Sequence, residues 1–237
     1  MNVGDFIYDS KILAEVKGYY VNASDFLKVY SELSIIERKS LVIHYLMDNS
    51  PFAFTNVYEK PILFEQVRQY ISHILDVSVN HVKLIGSTKT GFKMDSDNYG
   101  KSYSKTSDLD FMIIDKGLFS ILAKEFDIWR KAYVDDNMMK PHCDFEKCCW
   151  DDNVIIIRKT ITLGFIDTYK MPNRRELPIN SKVNNTMSNV VRNLGTYHGF
   201  STKKASMRVY KDVESYFCQQ NRNIESILAA KGYLYNK

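Results

Sequence analysis

Apolar residues recur along this chain with two periods, and the period changes from segment to segment. From Ala23 to Asn49 the spacing is three and four: Phe26, Leu27, Tyr30 and Leu33, then Ile36, Leu41, Val42, Tyr45 and Leu46, which predicts helix. Ser24 or Asp25 can cap the first run, Ser34 with Glu37 three residues on has the form of a capping box, and Asn49-Ser50-Pro51 ends the stretch. Lys60 to Val77 predicts another amphipathic helix, with Pro61 in its first turn and Leu63, Val67, Tyr70, Ile71 and Ile74 on one face. His73 lies near that face and reads as a boundary residue rather than a ligand. Val82, Leu84 and Ile85, and then Leu109 through Ile114, are short apolar runs bounded by Gly, Ser and Asp, and predict strands. Gly117 to Val134 returns to helix, striped by Leu118, Ile121, Leu122, Phe126 and Trp129. Asp135 to Trp150, charged and cysteine-rich, reads as loop. Asn153 to Tyr169 fits either period, Pro172 to Ser188 is polar and turn-rich, and Val213 to Leu228 closes the pattern as an amphipathic helix behind a basic cluster of Lys203, Lys204, Arg208 and Lys211.

The two predicted strands carry polar groups at their ends. Residues two apart on a strand share a face, so Asp108 and Asp110 place two carboxylates side by side while Leu109 turns into the core. Two such charges repel and are costly to desolvate, and a hard divalent cation removes that cost. Gly86-Ser87, at the end of the preceding strand, is the complementary half. A glycine lets a phosphate approach the backbone, and a serine at a helix start favours an anion. Lys89, inside the same turn, is a candidate phosphate contact.

In this order, Gly86-Ser87, Thr90-Gly91 and Ser107-Asp108-Leu109-Asp110-Phe111 resemble the signature of the polymerase-β-type nucleotidyltransferase superfamily. The insertion from Phe92 to Thr106 is longer than many members carry, and in this the stretch is most similar to bacterial members of defence-associated or toxin-like type, which implies a role in antiviral defence. The resemblance implies an enzyme that moves a nucleoside monophosphate from an NTP, ATP among them, to an acceptor with the help of Mg²⁺ or Mn²⁺. Asp108 and Asp110 would be the metal-binding, catalytic pair, with Gly86, Ser87, Lys89 and Ser107 on the nucleotide. Active members use a third carboxylate from a neighbouring strand. Asp167, after the apolar run Leu163 to Ile166, is the first candidate and Asp144 the second; if Asn153 to Tyr169 is helix, Asp167 is only a polar end residue. The acceptor is left open among RNA or tRNA, a protein, a second nucleotide and a small molecule.

Either motif alone is common: Asp-x-Asp pairs often cap or form turns, and Gly-Ser is commoner still. Their order on two apolar strands carries the reading. A fold can outlive its chemistry, so the alternative is a catalytically silent nucleotide-binding or protein-interaction module. The long loop supplies Lys93, Lys101 and Lys105 among Tyr99 and Tyr103, either as cations and stacking groups for a nucleotide or as ordinary surface.

Composition narrows the rest. Of 237 residues, 45% are hydrophobic and 25% charged, which fits a globular chain and excludes a disordered one. A net charge of +4 permits a nucleic-acid partner without requiring one. Cys143, Cys148, Cys149 and Cys218 lack C-x-x-C spacing, so zinc beside His142 is set aside in favour of reduced thiols. No window reaches membrane-spanning length and the opening residues lack a leader pattern, so a cytoplasmic protein with no membrane partner is expected. The expected fold is α/β (α+β): a small mixed β-sheet core flanked by helices. Its parts would be a helical N-terminal extension over 1–55, a nucleotidyltransferase core over 56–172 and a C-terminal segment with a helix over 173–237 packing on that core, or the whole would be one domain.

Overall fold

The computed structural model describes residues 21–135 and 138–233. The part of the N-terminal extension before residue 21, and positions 136–137 of the expected cysteine-rich loop, lie outside the described residues. The chain forms a mixed α/β fold on one four-stranded sheet of order β1-β2-β4-β3, where β1 is Val82–Ile85, β2 Leu109–Ile114, β3 Phe165–Asp167 and β4 Ala205–Tyr210. β1 runs antiparallel to β2, β2 parallel to β4, and β3 antiparallel to β4.

Eight α-helices flank this sheet among the described residues: α1 Ala23–Glu32, α2 Ile35–Val42, α3 Pro61–Leu75, α4 Ser87–Thr90, α5 Lys116–Arg130, α6 Asp144–Thr162, α7 Pro178–His198 and α8 Val213–Ala230. Alternation along the strands sorts side chains into two layers. Leu84, Phe111, Ile113, Ile166, Met207 and Val209 face one way and share a buried core with residues of α3, α5, α6 and α7. Met112, Phe165 and Tyr210 face the other way and pack with α1, α2 and α8. β4, from the 173–237 segment, therefore lies inside the sheet, between β2 and β3.

Several local expectations are corrected. The cap of α1 is Asn22, whose Oδ1 accepts from the Asp25 N–H at 2.9 Å, rather than Ser24 or Asp25. Ser34 and Glu37 do form a capping box, the Ser34 N–H donating to Glu37 Oε2 at 2.7 Å. Ile121 faces solvent, and the buried stripe of α5 takes in Glu125 instead. Its two carboxylate oxygens each accept a backbone N–H of α7, from Ile179 and Asn180, at 2.8 Å, so a buried charge is satisfied by an opening helix. The expected loop before Trp150 is helix from Asp144 onward, and that helix carries on to Thr162, where the ambiguous segment changes period. Gly164 makes the change: it sits at φ +82°, and a Cβ there would lie 2.6 Å from Ser215 Cβ. Pro172 to Ser188 is not a turn-rich stretch throughout, since α7 starts at Pro178; Val183, Met187, Val190 and Leu194 are its buried stripe. Lys203 to Lys211 is not a helix-flanking cluster but contains β4.

Candidate functional site

Four strand ends meet at one end of the sheet. Ile85, which precedes Gly86, stands opposite Asp110 in the β1–β2 register; Asp110 stands opposite Ser206 in the β2–β4 register; Asp167 stands opposite Arg208 in the β3–β4 register. Asp110, Ser206, Arg208 and Asp167 share one sheet face by alternation, beyond the part that α1, α2 and α8 cover. A cavity of about 620 Å³ opens over them. Its walls include Gly86 and Ser87, Lys93 to Asp95 and Ser107 from the long loop, Asp108, Tyr169, and the α8 side chains Tyr216, Gln220 and Asn223.

Gly86 is the hinge of the first motif. It has φ +69°, a conformation that disfavours any side chain, and a Cβ added to it would meet Asp110 Oδ2 at 3.4 Å. The Gly86 turn and the second motif, more than twenty positions apart, are thus in direct apposition. Asp110 is half-buried, and Ser206 Oγ donates to its Oδ1 at 2.6 Å. Burial pushes the Asp110 carboxyl above the usual carboxylate range; the Ser206 hydrogen bond opposes the shift and the neighbouring Asp108 charge adds to it. Asp108 itself is exposed, and its carbonyl accepts from Thr88 Oγ1 at 2.8 Å, which ties the two motifs together through the backbone.

Lys89 is not brought to the cavity. In so short a helix, residues two apart point about 200° away from each other, so Ser87 and Thr90 face the cavity while Thr88 and Lys89 turn inward. Lys89 is 3% exposed and its Nζ donates to the Met47 carbonyl at 3.1 Å. Burial lowers its pKa to about 7, with the Lys83 charge acting in the same direction. Lys93 is the cation that the loop does place on the cavity wall.

Asp167 lies on a strand, and the cavity includes it, but it is held. Arg208 grips it with two hydrogen bonds, Nε to Oδ1 at 2.6 Å and Nη2 to Oδ2 at 3.1 Å. Burial works against the Arg208 cation, yet Tyr210 and the Asp167 carboxylate outweigh it and push its pKa up. Asp144, in the first turn of α6, does not line the cavity. Among the described residues no group of three or more His, Cys, Asp and Glu side chains is placed to hold a metal ion, so Asp108, Asp110 and a third acid do not form a ready cluster.

Ser206, Arg208, Tyr169 and the α8 face Tyr216, Gln220 and Asn223 are not placed at this site by the sequence, where Arg208 reads only as part of the basic cluster. The signal for the first two was present: Ser206-Met207-Arg208-Val209 alternates polar and apolar as a strand does. The α8 trio is spaced at four and three, one helix face, but nothing local shows that this face looks onto a carboxylate. Tyr216 is fully buried at the back of the cavity and its hydroxyl has no hydrogen-bond partner among the described residues. No helix among the described residues is long and apolar enough to cross a membrane. A scan against protein-family models, a search of curated proteins and a search of solved structures each return no match to this chain.

Proposed function

We propose that the cavity binds a nucleoside triphosphate together with a divalent cation and transfers its nucleoside monophosphate to a hydroxyl-bearing acceptor. The observation that carries this reading is the apposition of the Gly86 turn and the Asp110 carboxylate across the β1–β2 pair. A turn that lets a phosphate approach, set against the half-buried Asp110 and the exposed Asp108, is what an NTP with its cation requires.

The donor set fits a cation held by two carboxylates. Burial raises the pKa of Asp110 and the neighbouring Asp108 charge adds to it, a cost that a cation beside the pair would relieve. Mg²⁺ takes one or two carboxylates and completes its shell with water and phosphate oxygens. The set does not fit a three-carboxylate site, because Arg208 occupies Asp167. When bound, such a cation would offset the charge that builds on the phosphate oxygens.

The chain's own residues then divide the work. Ser87 and Lys93 hold the terminal phosphates, Asp108 and Asp110 orient the α-phosphate end through the cation they would hold, and Gln220 and Asn223 offer polar groups to the nucleoside. A bond forms between the acceptor oxygen and the α-phosphorus, the bond from the α-phosphorus to the departing pyrophosphate breaks, and the hydroxyl proton passes to the carboxylate pair.

The test is incubation of the protein with each α-phosphate-labelled NTP, Mg²⁺ or Mn²⁺, and bulk RNA, with labelled RNA, protein and small products resolved together. Label should enter one product class and fall about a hundredfold or more in Asp108→Ala. Absence of label with every NTP overturns the transferase. One observation favours a second reading, a silent nucleotide-binding module: the sequestered Asp167. It predicts no label but a nucleotide-dependent rise in melting temperature.

A further inference from the structure

Tyr169 stands at the lip of the cavity with 48% of its surface exposed, unlike the core aromatics around it. Its backbone is pinned. The preceding Thr168 is fully buried, its Oγ1 donates to the Met207 carbonyl at 3.0 Å, and its carbonyl accepts from Asn184 Nδ2 at 3.3 Å. Two lysines converge on the ring, with Lys204 Nζ 5.0 Å and Lys170 Nζ 5.9 Å from its centroid. A second pair of the same kind stands between the wall residues Ser104 and Thr106, Lys105 Nζ lying 5.8 Å from the Tyr58 ring. The segments are neighbours: Thr202 Oγ1 donates to the Ser107 carbonyl at 3.0 Å and the Leu109 N–H to the Lys204 carbonyl at 3.0 Å. Among the described residues, none of Lys105, Lys170, Lys203 and Lys204 is ion-paired with a carboxylate.

We propose that this lip is a docking platform for single-stranded nucleic acid, in which a base stacks on Tyr169 while Lys170, Lys204 and Lys105 track the phosphates into the cavity. An exposed ring on a pinned backbone offers a π-face to any base once the lysines over it swing onto the strand's phosphates, where their unpaired charge is what a backbone needs. A duplex keeps its bases stacked inside and has none to offer. That the strand serves as the acceptor rests on the transferase reading above; that it binds does not.

The experiment is fluorescence anisotropy on the full chain, without metal or NTP, using a fluorescein-labelled single-stranded RNA of about a dozen nucleotides and the same sequence as a duplex, over a range of salt. The single strand should bind more tightly. Tyr169→Ala should weaken it roughly tenfold, Tyr169→Phe should restore it, and Lys170→Ala with Lys204→Ala should lower the slope of log affinity against log salt by about 1.4. Melting curves of each variant separate lost binding from lost fold. No binding by the wild-type chain, tighter binding of the duplex, or a properly folded Tyr169→Ala that binds as the wild type does would overturn the platform. Strand binding without transfer of label by the wild-type chain would retire the transferase and leave the platform standing.

Discussion

Lys89 and Asp110 are both charged residues removed from water, and the protein treats them in opposite ways. Asp110 keeps a hydrogen bond from Ser206 and faces a cavity. Among the described residues Lys89 has the Met47 carbonyl as its hydrogen-bond partner, and it does not line the cavity. Its lowered pKa makes a sign-definite prediction. Between about 7 and the ordinary lysine value the unfolded chain holds a proton that the folded chain has lost, so stability rises with pH across that window and is flat below it. Lys89→Met removes the group and should abolish this component. The difference in unfolding free energy between wild type and Lys89→Met, followed by denaturant titration, should favour the variant most near pH 7 and shrink as pH climbs, by at most about 1.4 kcal/mol per pH unit. A difference that is constant from pH 7 to 10 would show that Lys89 stays charged, and would reopen a phosphate role for it.

At the scale of elements, the turn at Gly164 decides what the site contains. Helix α6 ends at Thr162, and only a residue free to take φ +82° lets the chain reverse into β3 and deliver Asp167 beside Arg208. Gly164→Ala meets both the unfavourable conformation and the side chain of Ser215, and should destabilise the protein by about 2 kcal/mol or more. Ser215→Gly in the same chain removes the clash but not the strain, so chemical denaturation should show partial recovery; none at all would mean that steric contact at Ser215 is not the cause. This element also shows where sequence stops being legible. β1, β2 and their motifs were readable because short apolar runs end in Gly, Ser and Asp. The four-residue run Val154 to Ile157 was not, because only Ile157 of it is fully buried and Ile155 is 71% exposed, a split set by packing rather than by pattern. Helix α7 was hidden by its many Asn, Ser and Thr residues, which favour turns, while four buried apolar positions at helical spacing override them. The Asp167–Arg208 pair joins residues 41 positions apart, and no local signal announces it.

For the molecule as a whole, two helical layers bury both faces of the sheet and leave uncovered the end where β1, β2, β3 and β4 bring their polar residues together. The first motif supplies the turn, the second supplies the carboxylates, and β4 with α8 closes the walls. We propose that this end binds a nucleotide through its cation. The measurement that tests it most directly is calorimetric titration of a non-hydrolysable NTP analogue into the wild-type chain and into Asp108→Ala/Asp110→Ala, each with Mg²⁺ and with EDTA. Binding by the wild type that needs Mg²⁺, and that is lost in the double variant while its melt stays cooperative, is the predicted result. Equal binding by both proteins, or none by the wild type with any base, would contradict it.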